Sequence, residues 1–168
     1  MIDELTRVVP ALRRLGGVYL LLAALPGVAA AQATGTRYLN PKGLVAPTGY
    51  THVVVAPDGR TVYIAGQVAF DSVGKVVGEG DFSAQTEQVF RNLERALKSV
   101  GGSTADLVKT TTFITDIKHL PALRDVRARY LSKAQPPANT LVAVSSLARA
   151  ELLIEIEGVA ILGSIVRH

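Results

Sequence analysis

Cysteine is absent from this chain of 168 residues, which excludes a disulfide framework, a thiolate nucleophile and a cysteine-based zinc site. Tryptophan is absent as well, and with only four Phe and five Tyr the apolar 48% of the chain is chiefly aliphatic. His52, His119 and His168 lie far apart with no HxxxH or HxH spacing, so no metal site is expected. No run of five or more Lys/Arg residues occurs, and the net charge of +4 is spread along the chain. The densest basic group is Arg124, Arg127 and Arg129. With Asp125 among them it reads as a solvated helix face, because a nucleic-acid footprint would also want aromatic stacking residues nearby, and no nucleic-acid partner is expected.

What is present fits one compact domain plus an appendage, since domains most often run to about 100 to 150 residues. Arg13-Arg14 precedes an uncharged run from Leu15 to Ala31, broken by Pro26, with small residues at Ala29, Ala31 and Ala33. A basic n-region, an apolar h-region and an A-x-A site are the parts of a cleavable export signal. The reading is a signal peptide over residues 1–33 and a globular domain over residues 34–168, with the protein periplasmic or secreted. A bilayer span needs about 20 apolar residues, and Gly16-Gly17 and Pro26-Gly27 interrupt this run, so stable membrane insertion is not expected. Asp3 and Glu4 run against a basic n-region and keep open the alternative, an N-terminal extension of a cytoplasmic protein.

Beyond the appendage, Thr51 to Ala56 is rich in β-branched residues and Pro57-Asp58-Gly59 has the chemistry of a tight turn. Arg60 to Phe70 then alternates, so two antiparallel strands are predicted. Gly66 interrupts the second, which marks a bulge, a close approach by a ligand or backbone, or simple crowding by a neighbour. Asp81-Phe82-Ser83 opens a helix whose stripe is Val89, Leu93, Ala96, Leu97 and Val100, stopped by Gly101-Gly102. Ser103 to Asp106 has capping-box spacing, and Val108 to Thr115 is a strand. Leu120-Pro121 begins a second helix with Leu123, Val126 and Tyr130 inward and the arginines outward; strands at Thr140 to Val144 and Glu151 to Leu162 complete the chain.

The order β-β-β-α-β-α-β-β defines an α+β layer fold with both helices able to cover one face of the sheet. Val142 and Val144, with Leu152, Ile154 and Ile156, are expected to leave the other face apolar, which calls for a second subunit.

Several motifs in order resemble the RidA (YjgF) family of reactive-intermediate deaminases, from about Tyr38 to Ala160. They are Asn40-Pro41, Gly49-Tyr50, Ala65-Gly66-Gln67, Phe82 with Gln85, Lys109 to Asp116, Pro137-Ala138 before a polar pair, and Glu155-Ile156-Glu157. The resemblance implies a chorismate-mutase-like single domain: a six-stranded, mainly antiparallel sheet with two helices on one face, assembled as a homotrimer. It also implies a small-molecule pocket at each subunit interface. In active relatives an arginine holds the carboxylate of a 2-imino or enamine acid, and a glutamate of the last strand positions the water that hydrolyses C=N. No cofactor is expected.

Carried over by position, Tyr50, Gly66 and Glu155 match pocket residues of the family, and Asn139 stands where the arginine is usual. Ala65, His52 and Arg124 stand where serine, glutamine and asparagine are common. One extra residue between Asn139 and Glu155 leaves Glu157 as the rival carboxylate. A guanidinium offers a charged planar fork to a carboxylate, whereas an amide is neutral. Two functions stay open. The first is a deaminase with weak or absent activity on standard 2-imino acids, in which Glu155 orients water and Arg124 substitutes for the lost cation. The second is a non-catalytic protein whose Asn139 and Thr140 hydrogen-bond an imine, enamine or carbonyl metabolite. A nuclease, attached to some relatives, would need a phosphate-binding cluster or a histidine pair that the sequence does not supply.

Overall fold

The computed structural model describes residues 35–163, and the signal assigned to residues 1–33 lies outside them. The elements follow the predicted order. β1 (Arg37–Leu39) and β2 (Val53–Val55) form a two-stranded antiparallel sheet. β3 (Arg60–Gln67), β4 (Leu107–Ile114), β5 (Ala138–Ala143) and β6 (Ile154–Leu162) form a second sheet in the order β3-β6-β4-β5. The six strands are mainly antiparallel, with β4 and β5 parallel.

The expected hairpin between β2 and β3 does not form: β2 pairs with β1 and β3 with β6. Length decides this, because the eight residues of β3 find partners along the nine of β6, and three-residue β2 could satisfy far fewer backbone groups.

α1 (Phe82–Ser99) starts where Asp81 accepts a hydrogen bond from the Ala84 N–H at 3.0 Å. It stops at Gly101, whose φ of 81° suits glycine, with Gly102 N–H returning to the Leu97 carbonyl at 2.9 Å. The predicted capping box is present, Asp106 accepting from the Ser103 N–H at 2.7 Å. Val89, Phe90, Leu93 and Leu97 of α1 pack with Leu123 and Val126 of α2 (Leu120–Tyr130) and with Ile154, Ile156 and Ala160 of β6 in one buried core.

Leu152, Ile154 and Ile156, expected on an exposed face, therefore belong to the core. Strand alternation gives the opposite, open face to Glu155, Glu157 and Val159, in register with Phe113, Thr111 and Lys109 of β4. Its exposed apolar residues are Tyr63, 81% accessible, and Val142. Fully buried Gln85 ties α1 to the approach of β6: its amide donates to the Glu151 carbonyl at 2.7 Å and accepts from the Leu153 N–H at 2.8 Å.

Candidate functional site

Three of the expected site residues meet in one cleft of about 190 Å³, lined by Tyr50, Arg124 and Asn139 together with Thr48, Arg127 and Leu141. Tyr50 is brought there by its neighbour: the buried Thr51 hydroxyl donates to the Pro136 carbonyl at 2.7 Å, and its N–H to that of Pro137 at 3.3 Å. This lays the 48–51 loop along the outer edge of β5. The Tyr50 ring meets His52 edge-on at 5.2 Å, and His52 Nε2 donates to the Val45 carbonyl at 2.8 Å.

Asn139 does not present its donors to a ligand. Its amide nitrogen donates to the Thr110 and Thr112 hydroxyls at 2.8 and 3.2 Å, both of which are buried beneath the helices. Those bonds satisfy polar groups that burial would otherwise penalise.

Arg124 lies exposed at the mouth of the cleft, and Arg127, one turn later, is half-buried within it. The expectation that all three arginines form a solvated face is thus corrected. Arg129 pairs with Glu87, which also accepts from the Tyr130 hydroxyl, while Arg127 turns toward the 48–51 loop. Burial, followed by the charge of Arg124, lowers the pKa of Arg127 from its ordinary value. Arg127 was missed in the sequence although a signal existed: residues three apart on a helix share a face, so whatever faces Arg124 also faces Arg127.

Gly66 and Glu155 lie elsewhere. β3 is irregular between Ile64 and Gln67, so Gly66 breaks the strand as a bulge would. A Cβ at Gly66 would come within 2.6 Å of the Glu155 carboxyl carbon, so the missing side chain is what admits that carboxylate. Of the predicted meanings of the glycine, the irregularity holds, and what comes close is a neighbouring side chain, the crowding alternative, rather than a ligand or another backbone.

Glu155 is on the open face and Asn139 on the helix face, so one chain does not bring them together. Thr140, one residue after Asn139, also points to the open face, where its hydroxyl accepts from Lys109 Nζ at 2.8 Å. Burial lowers the Lys109 pKa, partly offset by the Glu157 charge. Glu157, Lys109, Thr111 and Tyr63 line a shallow concavity of about 410 Å³ on that face, which separates Glu157 in setting from Glu155 against Gly66. Among the described residues no three His, Asp or Glu side chains gather as a metal site.

A four-stranded sheet beneath two helices, with a polar cleft at the start of its edge strand, is the α+β fold of Rid-type proteins. Residues 42–162 match the family model described as endoribonuclease L-PSP, and the chain belongs to that family, in which the RidA (YjgF) proteins lie. It is 34% identical over 118 residues to a RutC family protein of Synechocystis, covering 70% of this chain and 89% of that one. The crystal structure of YyfB, a Rid-family protein of unknown function from Yersinia pestis, matches with a TM-score of 0.70 and 40% identity, covering 76% of this chain and 99% of that one. RidA of an Antarctic Psychrobacter matches with a TM-score of 0.57 and 32% identity, covering 74% and 98%.

Proposed function

We propose that this protein is a RidA-like enamine/imine hydrolase whose complete site forms between the copies of a homotrimer, Glu155 of one copy facing the Tyr50–Asn139 cleft of another. The observation that carries the reading is the placement of Glu155, a half-buried carboxylate seated against a glycine that leaves room for it. In this role the carboxylate orients a water and takes its proton as oxygen adds to the C=N carbon, then hands it on so that both water protons end on the nitrogen; the C–N bond breaks, ammonia leaves and a carbonyl compound remains. The separation of Glu155 from Asn139 by the sheet favours a second copy, as does the exposed Tyr63 and Val142 surface. Light scattering on the purified protein should give three times the monomer mass, and a monomer at micromolar concentration would remove the shared site.

Small 2-imino acids are expected to be poor substrates, because Asn139 supplies no charge at its own position, its donors are already engaged, and the cations that do line the cleft, Arg124 and Arg127, stand on the helix side of it. The same observation favours the alternative, a non-catalytic metabolite-binding protein on this scaffold. A nuclease reading gains nothing from the histidines: His52 bonds the Val45 carbonyl and His119 stacks on Phe82 at 4.2 Å. Export belongs to the same proposal, on the strength of the Arg13 to Ala33 pattern. N-terminal sequencing of protein from its native host should begin near Gln32 or Thr34, and an intact cytoplasmic chain would contradict it.

A further inference from the structure

We infer that Arg124 and Arg127 form a two-guanidinium clamp for a small dianion, so that the ligand of this cleft carries two acidic groups or one doubly charged group. The inference concerns one chain and needs neither Glu155 nor a second copy.

The first ground is uncompensated charge. Arg124 and Arg127 are three residues apart on α2, which puts their Cβ atoms about 5 to 6 Å apart on one helix face. Both line the Tyr50–Asn139 cleft, and both line the adjoining groove of about 130 Å³, where Lys133 adds a third cation. No Asp or Glu lines either space. Among the described residues neither guanidinium has a carboxylate partner, whereas Arg129 on the same helix has Glu87 and Arg149 has Glu151. A position in the last turn of α2 favours Arg127 through the carbonyl end of the helix, yet Arg124 lies a turn earlier, where this attraction has faded. Two like charges, one of them partly desolvated, are left for a bound anion to neutralise.

The second ground is preorganisation. Gly49 has a φ of 73°, and a Cβ there would lie 3.3 Å from Arg127 Cζ, with the guanidinium nitrogen closer still. The loop therefore packs bare backbone against the Arg127 head group, and any larger residue would displace it. Backbone packed on one side of the guanidinium narrows its range, and a narrower range loses less freedom on binding.

The third ground is stoichiometry. Each guanidinium can hold an oxyanion through a bidentate fork, and a single carboxylate neutralises only one of the two. A cleft of about 190 Å³ suits a compact ligand, with the Thr48 and Tyr50 hydroxyls able to bond it and Leu120 and Leu141 to cover its carbon atoms. Dicarboxylates and phosphorylated metabolites share the required chemistry. Joined to imine hydrolysis, the clamp makes imines of dicarboxylic amino acids better substrates than those of alanine or leucine.

Calorimetric titration of the full chain with succinate, inorganic phosphate and acetate at constant ionic strength tests the inference. Succinate or phosphate should bind at least tenfold more tightly than acetate, and the tighter of the two identifies the dicarboxylate or phosphoryl source. Arg127→Gln and Arg124→Gln should each weaken that binding about tenfold, whereas Arg129→Gln, on the Glu87 side of the helix, should leave it unchanged. Arg124 is exposed, so its variant stays informative if Arg127→Gln fails to fold. Equal affinity for acetate and the dianions, no binding of any of them, or an equal loss in Arg129→Gln would overturn it. The titration does not read turnover, so a chain that binds dianions without hydrolysing imines keeps this inference and loses the proposed reaction.

Discussion

Asn139→Arg is expected to raise hydrolysis of small-amino-acid imines, generated in situ by an amino-acid oxidase, by about 10-fold to 100-fold over a wild type that barely exceeds buffer. Hydrogen bonds to a charged group contribute about 1.5 to 3 kcal/mol, Asn139 offers the substrate none because its donors are engaged, and each 1.4 kcal/mol in the barrier is about a factor of ten. The new side chain would share the cleft with Arg124 and Arg127, so like-charge repulsion works against the gain and the substrate carboxylate must offset it. It would also release the Thr110 and Thr112 hydroxyls from Asn139, at about 1 kcal/mol each, so the melting temperature should fall while the fold persists. Glu155→Gln in the same background should abolish the gain, because a neutral amide cannot take the proton of the attacking water. The guanidinium acts here by positioning the substrate. A wild-type rate equal to that of an arginine-bearing relative, or no gain in a correctly folded variant, would count against the proposed site.

The largest effect on stability is expected at Gln85→Leu. The substitution orphans the Glu151 carbonyl and the Leu153 N–H together, and each unsatisfied buried group costs about 1 to 3 kcal/mol. A total near 2 to 6 kcal/mol is a large fraction of the stability of a small domain and should lower the melting temperature by about 10 to 20 °C. Thermal unfolding followed by circular dichroism reads this directly. Leu153 directly precedes β6, so the variant should also lose the proposed hydrolysis through Glu155 at temperatures where it remains folded. An unchanged melting temperature would show that water or another group satisfies the two backbone atoms.

Local pattern carried much of this protein. The stripe from Val89 to Leu97, the Asp81 cap, the Gly101 stop and the Ser103–Asp106 box are contacts within a few residues, so sequence spacing contains them and the structure reproduces them. The motif order from Asn40 to Glu157 likewise led to the family that the comparisons show. Some of the site was legible but not drawn. Strand alternation separates Asn139 from Thr140, and helical spacing joins Arg127 to Arg124, both from residue numbers alone.

The remainder depended on partners distant in the chain. No local signal says that β2 pairs with β1 rather than β3, because strand pairing is decided by which long strands find each other. Nor does any say that the apolar stretch from Leu152 to Ile156 belongs to the core, since that depends on which face the helices cover. The role of Gly66 awaited the irregularity in β3 that turns it toward Glu155, a residue 89 positions later. Sequence by itself determined the elements, their order and the family, because these follow from short-range backbone and side-chain preferences. Tertiary structure alone decided that Asn139 spends its donors on Thr110 and Thr112 while Arg124 and Arg127 find no carboxylate partner among the described residues, because hydrogen-bond and charge partners are chosen by packing across the sheet.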